Sequence, residues 1–164
     1  MPSWHPLSLI TSAVAARPSG LWTLVADFVE GPALLRITAD PKDSWSYSDI
    51  QTATCGPDGD PRALIVTARC LVPTAPVGAL VGKIGGSSAT THDAEPFAVG
   101  HNCVVRVPDD GGPLYLSIND EPAGMDNNAQ AITVSVSIAA VAKPTPAQPG
   151  AGTKPAVQPS QHTR

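Results

Sequence analysis

Apolar and polar residues alternate strictly in two runs toward the C-terminal end of the chain. Leu114, Leu116 and Ile118 fall on one face, with Tyr115 and Ser117 on the other. Ile132, Val134, Val136 and Ile138 then alternate with Thr133, Ser135 and Ser137. Successive side chains of a strand point to opposite faces, so this period of two predicts two half-buried antiparallel strands. The two runs read as a hairpin. Its connection is longer than the roughly two to five residues of an ordinary hairpin loop, and it holds Asn119, Asp120, Glu121, Asp126, Asn127 and Asn128. Such a concentration of side-chain oxygens suits a hard divalent cation, with calcium the natural candidate.

The rest of the pattern predicts more short strands. Residues 5–16 and 21–30 flank the turn sequence Arg17-Pro18-Ser19-Gly20, and 34–38 follows Gly31-Pro32. Residues 40–62 read as a long polar loop ending in a tight turn at Gly56-Pro57-Asp58-Gly59-Asp60. Strands are predicted over 63–72 and over 78–84, where Gly85-Gly86 stops the run. A loop over 87–96 carries His92, Asp93 and Glu95, and short strands follow at 97–99 and 103–107. About eight short strands spaced roughly ten residues apart predict an all-β domain, a β-sandwich or jelly roll. From Lys143 the pattern stops. Five prolines in residues 143–164, with almost no large apolar side chain, predict a disordered or extended Pro-rich tail. The chain therefore divides into a domain over 1–142 and a basic tail over 143–164.

Composition narrows the function. All fourteen acidic residues precede position 127, while Lys143, Lys154 and Arg164 lie in the tail. Residues 1–142 thus set seven basic against fourteen acidic residues, a net charge of −7. An acidic body argues against phosphate-backbone binding, so no nucleic acid is expected as partner. Cys55, Cys70 and Cys103 form no disulfide framework and no zinc motif; free, partly buried thiols are expected. No apolar run approaches the roughly 20 residues of a membrane-spanning helix. No Lys or Arg precedes the apolar stretch 7–16, which reads as a first strand rather than a signal segment, leaving localisation open. There is no nucleophile elbow or phosphate loop, and the acidic pairs Asp58/Asp60 and Asp109-Asp110 sit in turns where Asp is expected. The expectation is a protein that is not an enzyme.

Several strings in order resemble the PA-I galactophilic lectin family, small bacterial calcium-dependent lectins. They are Trp45-Ser46-Tyr47, Gly56-Pro57-Asp58-Gly59-Asp60, Gly78-Ala79-Leu80-Val81-Gly82-Lys83-Ile84-Gly85, and Ile118-Asn119-Asp120 followed by Asn127-Asn128. The last block keeps the family's interval between the Asp and the paired Asn, and the resemblance runs along residues 4–138. It implies a jelly-roll sandwich of the galactose-binding-domain type. It also implies one calcium ion held by the Asp120 carboxylate, the Asn127 and Asn128 side-chain carbonyls, and the backbone carbonyls of Tyr47 and Gly124. Two hydroxyls of a bound sugar would complete the shell. The spacing is not that of an EF-hand.

The chain departs from the family where sugars are selected. Family members contact the sugar with a His and a Gln just after the Gly-Pro-x-Gly-Asp turn; here Pro61-Arg62-Ala63 follows. Gly124 replaces the family's Thr, and Glu121 takes a usually apolar position. The expected ligand-binding set is Asp120, Glu121, Asn127 and Arg62, with His92 a further candidate, and the expected ligand is a galactose-like or other glycan. Family members are often tetramers, which makes a homo-oligomer an expectation. The missing sugar contacts leave a second reading open, a non-catalytic accessory subunit whose 143–164 tail is strapped on a protein partner.

Overall fold

The computed structural model describes residues 3–50, 52–63, 67–91 and 93–141, with the backbone alone over 6–11. The 143–164 tail, its proposed partner role and His92 lie outside the described residues. Among the described residues ten strands form: β1 (His5–Ala15), β2 (Thr23–Val29), β3 (Ala33–Ala39), β4 (Trp45–Ser46), β5 (Thr54–Cys55), β6 (Leu80–Ile84), β7 (Pro96–Ala98), β8 (Asn102–Val107), β9 (Gly112–Ile118) and β10 (Ala131–Ala140). Eight of them build two antiparallel four-stranded sheets, ordered β1-β10-β3-β8 and β2-β9-β6-β7. Apart from β6–β7, consecutive members of these eight alternate between the two sheets, which is jelly-roll connectivity. Among the described residues no helix is long and apolar enough to cross a membrane.

The alternation seen in the sequence becomes burial. Leu114, Leu116 and Ile118 of β9 are fully buried, as are Leu35 and Ile37 of β3 and Val134 of β10. They meet in one apolar cluster between the sheets. Trp22 and Trp45 are core residues, not exposed platforms. Trp4 lies at the surface of the first sheet, with the Arg36 guanidinium 4.1 Å from its ring centre.

Two sequence expectations are corrected. The runs at 114–118 and 131–138 are not a hairpin: β9 pairs with β2 and β6, while β10 pairs with β1 and β3. Their connection crosses from one sheet to the other, which is why it is long. The strand expected over 63–72 is absent from its described part; residues 67–69 form a 3-10 turn and 70–79 a compact loop. In addition, the polar region 40–62 contains the two-residue ladder of β4 and β5. All three thiols are free, as expected.

A buried lysine fastens the outer face of the second sheet. Lys83 on β6 has a fully buried side chain. Its ammonium donates to Asp93 Oδ1 at 2.6 Å and to the Thr90 carbonyl at 2.7 Å, and it sits 5.2 Å and 5.4 Å from the ring centres of Trp22 and Tyr115. Asp93 also accepts from the Ser87 N–H, and Trp22 donates to the Thr90 carbonyl. The 86–95 loop is thereby pinned over the sheet.

The Lys83 hydrogen bond, aided by the Ser87 N–H against the opposing effect of burial, lowers the Asp93 carboxyl from 3.8 to about 2. A depressed carboxylate stabilises the fold above its unfolded value and ceases to do so once protonated. Stability is therefore expected to fall as pH drops from 3.8 to about 2. Acid titration followed by tryptophan fluorescence should show this, and Asp93→Asn should flatten that part of the profile while lowering stability at neutral pH.

Candidate functional site

The connection from β9 to β10 is a short scaffold rather than a slack loop. Residues Pro122–Asn127 form a 3-10 turn, with Pro122 at its start and buried Met125 anchoring it. Asn119, the first residue after β9, is wholly buried and turned inward. Its amide nitrogen donates to the carbonyls of Val72, Ala75 and Pro76, each at 3.0 Å, and its oxygen accepts from the Val72 N–H at 2.8 Å. Its backbone pairs with Ala79 and Gly78. Asn119 therefore belongs to the framework, although its oxygen stood among the six in the sequence pattern.

Asp120 and Asn128 flank the turn, and both are buried. Asp120 Oδ1 accepts from the Glu121 N–H at 2.7 Å. Asn128 Nδ2 donates to the Ala16 carbonyl at 3.2 Å, which ties the site to the end of β1. The other two oxygens, Asp120 Oδ2 and Asn128 Oδ1, are buried without a hydrogen-bond partner. Burial pushes the Asp120 carboxyl above its ordinary value, and the Glu121 charge adds to this. The Glu121 N–H and the Asn128 side chain oppose the rise.

The remaining residues expected at the site fall around this pair. Gly124 is on the turn, where a Cβ would lie 3.7 Å from both Asp120 carboxylate oxygens. Ser46 and Ala129 form an isolated antiparallel bridge, with backbone bonds of 2.9 and 3.1 Å, so Tyr47 and Asn128 are opposite neighbours. Asn127 is exposed at the end of the turn. Glu121 is half-buried and faces the Arg69 guanidinium at 3.6 Å. Arg62 is displaced from the pair: it is exposed and held to Asp60, which accepts from the Tyr47 hydroxyl at 3.1 Å. Asp126 points to solvent, 3.9 Å from Arg17. The structure thus reduces six oxygen-bearing side chains to one buried pair with Gly124 and the Tyr47 backbone beside it. Arg69, which the sequence reading passed over, joins through Glu121; the 52-residue interval between them left no signal in the sequence.

Two unpartnered acceptors buried side by side are costly. An unsatisfied buried group forfeits about 1–3 kcal/mol, more when it is charged. A hard cation would relieve both, because calcium takes about six to eight oxygens and accepts carboxylate and neutral carbonyl donors alike. Among the described residues there is no cluster of three or more His, Cys, Asp or Glu side chains. The donor set here is one carboxylate with amide and backbone oxygens, which fits an oxygen-seeking ion and not a thiolate- or imidazole-seeking one. The two thiols nearby are held protonated: burial, with the Asp120 and Glu121 charges, raises the Cys70 thiol to about 11, and burial with the Asp60 charge takes Cys55 to about 12.

The fold is similar to a solved lectin structure, described as the EclA N-terminal domain, a PllA-like lectin. The TM-score is 0.53 with 21% sequence identity, over 78% of this chain and 92% of that one. The chain therefore has a lectin-like β-sandwich fold. No protein-family model and no curated protein sequence matches it.

Two substitutions separate framework from site. Asn119→Ala strands the Ala75 carbonyl and the Val72 N–H and takes one of two donors from the Val72 and Pro76 carbonyls, and should cost at least ~2 kcal/mol in urea unfolding. Asp120→Asn removes a desolvated charge while keeping the shape, so in EDTA its melting temperature should equal or exceed that of the parent.

Proposed function

We infer that this protein is a calcium-dependent carbohydrate-binding protein related to the PA-I galactophilic lectins. The observation that carries this reading is the buried, unpartnered pair Asp120 Oδ2 and Asn128 Oδ1. It lies on the block whose spacing resembles the family most closely, in a fold similar to a lectin. Asp120 supplies the charge of the site and Asn128 a neutral oxygen fixed in place by its bond to Ala16. Gly124 offers its backbone carbonyl from the turn, where a Cβ would make only ordinary van der Waals contact with the carboxylate. Tyr47 and Asn127 complete the set, one through its backbone carbonyl and one through its amide. Bound calcium would offer its remaining coordination positions to two sugar hydroxyls.

The chain's own residues then select among sugars. Glu121 and Arg69 replace an apolar contact with a charged pair at the rim of the site. Arg62 stands where the family places its sugar contacts, but Asp60 holds it by both backbone and side chain. The ligand is a glycan, with galactose specificity weakened by the loss of the family's His and Gln. The role is binding, without catalysis.

Calcium should raise the melting temperature with the logarithm of its concentration above Kd, by an amount equivalent to ~2.7 kcal/mol at 100 times its Kd. Asp120→Asn should abolish that shift and all glycan binding measured by calorimetry. The absence of any calcium-dependent shift at millimolar calcium would refute the reading.

A further inference from the structure

A cleft of about 670 Å3 lies directly beside the candidate cation loop. Its position follows from the connections already described. The Leu71 N–H donates to the Asp120 carbonyl at 3.2 Å, which brings the 67–74 segment against the loop. Arg69 reaches across to Glu121, and Pro122, the next residue, closes one end of the cleft. Pro73 and Thr74 line one wall, and Glu95 and Pro96 the other. Asp120, Glu121 and Pro122 therefore run consecutively from the buried carboxylate, through the charged rim pair, to the cleft. A second cleft, of about 600 Å3 near Ile84, Phe97 and Pro108, meets this one at Glu95 but is lined by no residue of the cation loop.

The lining suits a sugar ring. Pro73, Pro96 and Pro122 present rigid apolar surfaces for the C–H face of a pyranose, while Thr74, Arg69 and Glu95 offer hydroxyl, donor and acceptor groups. Binding sites of this type combine an apolar lining with a few polar groups that fix orientation. The volume exceeds what one ring requires, and the Arg69–Glu121 pair lies between the cleft and the cation loop. Charge decides the class of ring. Among the described residues of the cleft, Arg69 is already paired with Glu121 and Glu95 adds a further carboxylate, so away from the cation the lining disfavours a uronic or sialic acid and favours a neutral ring.

We propose that this cleft is the second subsite of the glycan site: it takes a neutral ring linked to the sugar on the cation, and with Arg69–Glu121 it replaces the selectivity lost at 61–63. The proposal rests on the cation-bridged reading and adds the ligand's length and charge to it. It also accounts for a site that keeps its cation loop while lacking the family's contacts to the first ring.

The test compares methyl glycosides of galactose, mannose and fucose with neutral disaccharides carrying each at the non-reducing end, by calorimetry in calcium. The best disaccharide should bind about tenfold tighter than its methyl glycoside, a gain within reach of one additional well-seated ring. Thr74→Trp, at an exposed position, fills the cleft. It should remove that gain while leaving methyl glycoside affinity and the calcium-induced melting shift unchanged; both controls also report an intact fold. If a methyl glycoside binds with calcium but no disaccharide binds more tightly, or if Thr74→Trp keeps the gain, the subsite is refuted and the cation-bridged reading stands. If calcium shifts the melting temperature and no sugar binds, both the subsite and the carbohydrate reading fail.

Discussion

The buried amide of Asn119 is the constraint on which the site depends. It sits where β9 ends and makes four hydrogen bonds to the main chain of 72–76, while its own backbone pairs with Gly78 and Ala79. One side chain thereby organises a loop that lacks secondary structure of its own and fixes the direction in which the chain leaves the sheet. Asp120 follows immediately, so its orientation is inherited from that anchor. The arrangement satisfies a fully buried polar group completely, which is the condition under which such groups give a unique local structure. The adjacent pair, Asp120 and Asn128, departs from that condition, and the contrast marks where the framework ends and the candidate site begins.

Lys83 plays the corresponding part on the outer face of the second sheet. A buried ammonium is tolerated only when it is paired and hydrogen-bonded, and here one carboxylate and one carbonyl meet it between two aromatic rings. The loop it holds carries Asp93 and leads to Glu95 and Pro96, so the wall of the cleft beside the cation loop is positioned by a residue on the central part of the sheet. Framework and candidate recognition surface are linked in both places by polar side chains of β6 and β9, which are neighbours in the same sheet.

The sandwich class was legible because the alternating runs at 114–118 and 131–138 report which residues face the core. Alternation carries no information about which strand lies alongside, so two consecutive runs suggested a hairpin where the topology sends them to opposite sheets. The 63–72 run departs from a strand for a related reason in its described part: Leu71 and Val72 are buried by a loop folding onto Asn119 and not by strand pairing. At the site, Asp120 and Asn128 stood out through their spacing. The inward turn of Asn119 was hidden, because its partners lie more than 40 residues away. The Arg69–Glu121 and Lys83–Asp93 pairs were hidden likewise, since pairing across loops leaves no periodicity to read.

The crossing of the β9–β10 connection has a mechanical consequence. A ligand anchored on this loop is attached to the last residue of a strand in one sheet and to the approach of a strand in the other. The Asn128–Ala16 and Ser46–Ala129 bonds add attachments to β1 and β4. Tension applied through a tethered glycan would therefore divide between both layers of the sandwich and load their strands together, instead of peeling one edge strand from its neighbour.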